Sequence, residues 1–162
     1  MCMAILVIGG AGYIGSHTVV ELLNENKEVI VVDNFSNSKP EMLGKIKKIT
    51  NKDFKFYELD YSNKEKMDKV FAENKIDSVI HFAGYKAVGE SVEKPIEYYT
   101  NNVSGTLNLL DVMRKHNVKT IIFSSSATVY GDAKVVPITE ESPLSTTNPY
   151  GSTKLMLERI LT

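Results

Sequence analysis

The chain has 162 residues, 43% of them apolar, 24% charged and 9% aromatic, with 19 basic against 20 acidic side chains. A length near 150 predicts one domain that buries about 70% of its unfolded surface, so no disulfide or metal staple is required. A net charge of -1 gives no general attraction to nucleic acid or to an anionic membrane, and a single cysteine, Cys2, excludes a disulfide framework and a multi-cysteine metal site.

Isolated His17, His81 and His116 argue against a metal centre. No apolar run approaches the about 18 residues of a membrane span. Met1–Ile8 is apolar but too short for a signal peptide, so the chain reads as cytoplasmic.

Ala4–Ile8 and Val29–Val32 are near-continuous apolar runs, as in central parallel strands buried on both faces. Phe54–Glu58, Ser78–Phe82 and Thr120–Phe123 read the same way. Between them lie helical patterns at Tyr13–Asn24, Lys39–Ile49, Lys64–Asn74 and Pro95–His116. Pro95 suits a first helical turn and Asn117 a left-handed exit. This alternation predicts an α/β fold with a doubly wound parallel sheet and right-handed crossovers. Asp132–Asn148, with Pro137 and Pro143, reads as a long loop, either disordered or a functional lid or binding loop. Asn148 then looks like an N-cap and Pro149 like the first position of a final helix. No strand follows it, so the architecture reads as incomplete.

Gly9, Gly12 and Gly15 follow the first strand and open the first helix. In a dinucleotide site the first glycine lets the chain turn, the second lets a pyrophosphate approach the backbone, and the third allows close helix–sheet packing. The helix N-terminus then offers free N–H groups to the phosphates. Asp33, ending the second strand, can accept hydrogen bonds from a ribose diol and would repel a 2′-phosphate, which favours NAD over NADP. The alternative is a structural turn with Asp33 capping a helix. Asp60 and Tyr61 end the third strand, where an adenine edge would lie, and Phe82-Ala83-Gly84 ends the fourth at the expected switch point. Lys86 taken alone reads as an ordinary surface lysine.

Tyr150 and Lys154 are four apart on the final helix and so share one face. Such a pair also occurs on solvated helices. Ionising a phenol near pH 7 needs about 4 kcal/mol of stabilisation. A positive charge about 7 Å away supplies about 2 kcal/mol at an effective dielectric of about 20. Lys154 alone falls short, whereas Lys154 with an oxidised nicotinamide suffices. Such a base suits the oxidation of an alcohol. One hydroxyl of Ser124-Ser125-Ser126, at the end of the fifth strand, could bind the substrate oxygen; a merely polar strand end is the alternative.

Together these residues resemble the extended short-chain dehydrogenase/reductase family, most closely its UDP-glucose (UDP-galactose) 4-epimerases. The resemblance rests on the stretches 9–17, 32–34, 81–84, 86–91 and 101–103, on Ser124-Ser125-Ser126-Ala127-Thr128-Val129-Tyr130-Gly131, and on Asn148-Pro149-Tyr150-Gly151-Ser152-Thr153-Lys154. It covers essentially the whole chain and implies that residues 1–162 form an NAD-binding Rossmann domain. By that resemblance the glycine loop, Tyr13, Ile14, Asp33, Asn34, Phe35, Ser36, Asn37, Ser38, Asp60, Tyr61, Phe82, Ala83, Gly84, Lys86, Asn101 and Ser124 contact NAD. Lys86, Ser126 and Tyr150 would face the sugar of a UDP-sugar substrate. Tyr150, Lys154 and Ser126 would be catalytic, with Lys154 bridging the nicotinamide ribose.

There are two departures from the family pattern. Ile8 stands where the family usually has Thr. Family members are also considerably longer, with later strands and a C-terminal nucleotide-sugar domain beyond this sequence. Nucleotide-sugar dehydratases of the family place an acid before the Val-Tyr-Gly that follows the fifth strand, because eliminating water needs it. Here Ala127 and Thr128 occupy those positions, which favours C4 epimerisation.

Ile96, Tyr99, Val103, Leu107, Leu110 and Met113, with Leu155, Leu157 and Ile160, recur at helical spacing and either pack on the sheet or, as the resemblance implies, form a homodimer interface. The competing readings of function are a non-catalytic NAD-binding or dimerisation fragment, and another nucleotide-sugar member of the family.

Overall fold

Branched apolar runs become the middle of a sheet in the computed structural model, which describes residues 3–162 and so leaves Cys2 outside the described residues. The strands β1 (Ala4–Ile8), β2 (Glu28–Asp33), β3 (Lys55–Glu58), β4 (Ile76–His81) and β5 (Thr120–Phe123) pair in the order β3-β2-β1-β4-β5, every pair parallel. The register sets Ile8 beside Val32 on one side and His81 on the other. Alternate residues point to opposite faces. Leu6, Ile8, Ile30, Val32 and Val79 pack with Met67, Val70 and Phe71 of α3 (Lys64–Glu73) and with Leu109, Val112 and Met113 of α6 (Gly105–Lys115). Val7, Val29 and Val31 pack with Val19 and Leu23 of α1 (Tyr13–Asn24) and Ile46 of α2 (Glu41–Thr50). Full burial of each such side chain contributes about 1.5–3 kcal/mol. The sheet is doubly wound, as the alternation predicts.

The chain divides into two compact units. The sheet unit comprises Met1–Ala83 and Leu107–Ser124; the second unit comprises Gly84–Thr106 and Ser125–Thr162. The second unit contains α4 (Val88–Glu93), α5 (Pro95–Tyr98), a π-helical turn (Tyr99–Ser104), a 3₁₀ turn (Ala127–Tyr130) and α7 (Pro149–Leu161).

The helix expected without interruption over Pro95–His116 changes pitch at that π turn. Thr106 Oγ1 donates to the Asn102 carbonyl at 2.6 Å, offering that carbonyl a partner besides the helical ladder. Apolar spacing does not register such a shift. Asn117 does exit left-handed, at φ 58. The α4 helix and the 3₁₀ turn are too short for periodicity to reveal. Residues 132–148 hold no helix or strand, and Ser145 N–H donates back to the Val129 carbonyl at 3.0 Å. Asn148 caps α7 by accepting from Gly151 N–H at 2.8 Å, and Pro149 takes the first position. No helix among the described residues is long and apolar enough to cross a membrane.

Candidate functional site

In the sheet unit the strand order reverses between β1 and β4, and the loops following both strands meet there. The Ile8 carbonyl accepts from Phe82 N–H at 2.9 Å and Ala83 N–H at 3.2 Å. Gly9 adopts φ +79, and a Cβ on it would lie 2.8 Å from Ala83 N, so two requirements select glycine. At Gly15 a Cβ would come within 2.2 Å of the Gly9 carbonyl oxygen, which is the close packing the motif predicts. At Gly12 it would meet only that oxygen, at 3.2 Å, and the remaining approach is open. Gly12 caps α1 without any side-chain hydrogen bond, and the first turn carries no acidic residue. The leading N–H groups of α1, beside exposed Tyr13 and Ile14, therefore present an uncapped positive end suited to an anion.

Asp33 ends β2 at 8% exposure, and its carboxylate is held by three donors. Ala11 N–H reaches Oδ2 at 3.0 Å, while Phe35 N–H and the Ser38 hydroxyl reach Oδ1 at 2.9 and 2.7 Å. A carboxylate accepts about four hydrogen bonds, so one position remains for a ribose hydroxyl, and its charge opposes a phosphate. The loop beyond it is tied to the end of β3: Asn34 Nδ2 donates to Asp60 Oδ2 at 3.0 Å, and Ser62 N–H to Asp60 Oδ1 at 2.8 Å. Ser36 N–H donates to Asn34 Oδ1 at 3.0 Å, shaping the 34–38 loop that includes Asn37. Buried Tyr61 stacks edge-on to His81, ring centres 4.8 Å apart. Ser124 N–H donates to the His81 carbonyl at 3.1 Å. The sequence-predicted residues of this unit thus gather at the carboxyl ends of parallel strands, and the donors present fit a dinucleotide.

In the second unit Tyr150 and Lys154 lie one turn apart on α7, Lys154 Nζ 6.0 Å from the centre of the Tyr150 ring. Lys154 is 6% exposed, and burial pushes its ammonium down to about 8. At pH 7 it is still protonated by about ten to one. Thr153, fully buried between them, donates to the Tyr150 carbonyl at 2.7 Å.

Asn102, on the π turn, carries the connections that sequence reasoning missed. Its Oδ1 accepts from Tyr85 N–H at 2.8 Å and from Asn101 Nδ2 at 2.9 Å, and its Nδ2 donates to the Tyr85 carbonyl at 3.0 Å and Thr153 Oγ1 at 3.1 Å. One buried amide thereby joins the Gly84–Lys86 segment, Asn101 and the Tyr150 turn. Exposed Lys86 is followed by a second tether: Ala87 N–H donates to Tyr98 Oη at 3.1 Å, which donates to Glu90 Oε2 at 3.0 Å. Burial, then the Glu90 carboxylate, push the Tyr98 phenol up, so it stays protonated in that role. Ser126 caps the 3₁₀ turn, and Ser125 Oγ donates to Glu158 Oε1 of α7. The adjacent asparagines were the one available signal for this hub.

A doubly wound parallel sheet with a glycine loop at its switch point and an acidic residue ending the second strand defines a Rossmann-like, dinucleotide-binding class of protein. The sequence matches the NAD dependent epimerase/dehydratase family over residues 5–162, and the chain belongs to that family. It is 63% identical over 159 residues to the UDP-glucose 4-epimerase of Bacillus subtilis (strain 168), covering 98% of this chain and 47% of that protein. It is similarly 63% identical over 160 residues to the Haemophilus influenzae UDP-glucose 4-epimerase, with the same two coverages. The crystal structure of UDP-glucose 4-epimerase from Bifidobacterium longum in complex with NAD+ and UDP superimposes with a TM-score of 0.96 at 61% identity, over 98% of this chain and 48% of that one. The chain spans about half the length of these relatives.

Proposed function

We propose that this chain is the NAD-binding half of a UDP-sugar 4-epimerase that interconverts UDP-glucose and UDP-galactose. The Tyr150–Lys154 pair on α7, with Ser126 on the same unit, is the observation that carries the reading. In the sheet unit, the uncapped α1 N-terminus receives the pyrophosphate and Asp33 the adenosine ribose. In the sheet unit the 34–38 loop, Asp60, Tyr61, Phe82, Ala83 and Ser124 would also hold the cofactor, and Gly84, Lys86 and Asn101 of the second unit are assigned to it as well.

When bound, NAD would supply the hydride chemistry at C4 of the sugar, as acceptor and then as donor. Tyr150 accepts the proton of the C4 hydroxyl and gives it back after the sugar has turned. Lys154 holds positive charge beside Tyr150 and so lowers the cost of its ionisation. Ser126 and Lys86 hold the sugar oxygens. Ala127 and Thr128 supply no acid for water elimination. Exposed Val92, Ile96, Met156 and Ile160 favour assembly as a homodimer.

Holding reactants within about 3–3.5 Å can lower a barrier by about 7–11 kcal/mol. In the relatives' length, much of what would hold the UDP group lies outside this chain. Losing half of that positioning costs a factor of about 10³ to 10⁴. The test is turnover of UDP-galactose by the 162-residue chain and by a chain extended to the relatives' full length. The short chain is expected to retain NAD with negligible turnover, and the extended one to be active unless Tyr150→Phe is introduced. An extended protein that binds NAD and turns over no UDP-sugar would instead favour a non-catalytic module.

A further inference from the structure

We propose that Thr128 is a positioning residue that fixes the polarity of Ser126, making its hydroxyl a donor only; the inference rests on the reading of Ser126 as a sugar-binding residue. Ser126 Oγ accepts from Thr128 N–H at 3.2 Å and from the Thr128 hydroxyl at 2.9 Å. A serine hydroxyl has two lone pairs and one proton. Both lone pairs are engaged by the same threonine, so what remains to Ser126 is the proton it can give.

That restriction sorts the roles at a carbon–oxygen bond being oxidised. The C4 hydroxyl must surrender its proton to Tyr150. A serine able to accept would compete for that proton, whereas a serine that only donates leaves it to the tyrosine and stays ready to bind the ketone oxygen. Accepting two hydrogen bonds also polarises the Ser126 O–H, by about 10–30% per bond, and strengthens it as a donor.

A separate contact places Thr128 against the helix that carries the base. A Cβ on Gly151, next to Tyr150, would lie 2.9 Å from the Thr128 carbonyl oxygen and 3.3 Å from its Oγ1. Gly151 is buried, and its bare Cα is what lets Thr128 sit on that turn. Thr128 therefore sets both the direction of the Ser126 proton and the spacing from its turn to α7.

The test uses the protein extended to full length and has two arms. Thr128→Val keeps size and the main-chain N–H but removes the hydroxyl. It is expected to lower kcat for UDP-galactose about tenfold with KM changed by less than about twofold, while Thr128→Ser restores kcat. In a Ser126→Ala background, Thr128→Val should cost nothing further. In the second arm, neutron diffraction should find the Thr128 Oγ1 deuterium aimed at Ser126 Oγ and the Ser126 deuterium turned away from Thr128. Equal losses in both backgrounds, no rescue by serine, or a Ser126 deuterium aimed at Thr128 would each overturn the proposal. A parent protein that turns over no UDP-sugar yet shows the expected deuterium positions would defeat the epimerase reading and leave the polarity assignment standing.

Discussion

Lys154 Nζ sits 6.0 Å from the ring centre of Tyr150, and burial holds the ammonium at about 8 instead of the ordinary 10.5. The positive charge that a tyrosine base at this position would need is thus present at neutral pH, though in an environment that opposes it. A shift from 10.5 to about 8 corresponds to about 3 kcal/mol of folding free energy forgone while the lysine is charged. Below pH about 8 the folded and unfolded chains both carry the proton, and the full penalty applies. Between about 8 and 10.5 the unfolded chain binds more protons than the folded one, so stability rises with pH.

Lys154→Met is therefore expected to stabilise the protein at pH 7 by about 1–3 kcal/mol and, in the chain extended to the relatives' full length, to abolish the proposed turnover. Denaturant unfolding across pH 7 to 11 checks it. The gain should shrink as the pH climbs toward 10.5, and a variant less stable than the parent at pH 7 would contradict the burial account.

Asn102→Leu tests the buried amide. It strips partners from the part-buried Tyr85 N–H and carbonyl and from buried Thr153; a buried polar group left bare costs about 1–3 kcal/mol, and part-buried ones less because water can reach them. A loss of about 2–4 kcal/mol in urea unfolding is expected. A loss under about 0.5 kcal/mol would show that water replaces the amide without strain.

Most of the sheet unit was legible in the sequence because each of its features has a local cause. Val29–Val32 must be buried on both faces, Gly9 must turn, and Asp33 must follow a strand. The second unit was harder to read. Tyr150 and Lys154 are found by helical spacing, but Asn102 acts on Tyr85 and Thr153, 17 and 51 residues away, and no periodicity carries that distance. The π turn and α4 escaped because a change of pitch and a six-residue helix both fall below what an apolar pattern resolves. Of the apolar residues expected at helical spacing on two helices, Val103, Met113, Leu155 and Leu157 are buried, whereas Ile96, Leu107 and Ile160 are exposed.

The proposed assignment of Asp33 to the ribose implies a cofactor preference. Calorimetry is expected to give tight binding of NAD and poor binding of NADP, because a 2′-phosphate would bring like charge beside a carboxylate that already serves three donors. Equal or better affinity for NADP would refute the assignment of Asp33 to the ribose.

Assembly is open to the same kind of check. Ile96 is 77% exposed and Val92 62%. Sedimentation at micromolar concentration should give a dimer, and Ile96→Glu a monomer that still binds NAD. Only monomer in the parent protein would remove these residues from any subunit interface.

The three donors on Asp33 bear on how such a protein can evolve. A carboxylate that merely greeted a ribose could be exchanged freely when a lineage changed its cofactor. This one also anchors the glycine loop through Ala11 and the following loop through Phe35 and Ser38. Replacing Asp33 with a side chain that has no acceptor would strip the partner from two backbone N–H groups, at about 1–3 kcal/mol for the buried Ala11 N–H. On the proposed assignment of Asp33 to the ribose, cofactor choice and loop integrity fall to one side chain, so a change of cofactor would have to begin elsewhere, with substitutions that first give Ala11 and Phe35 new acceptors.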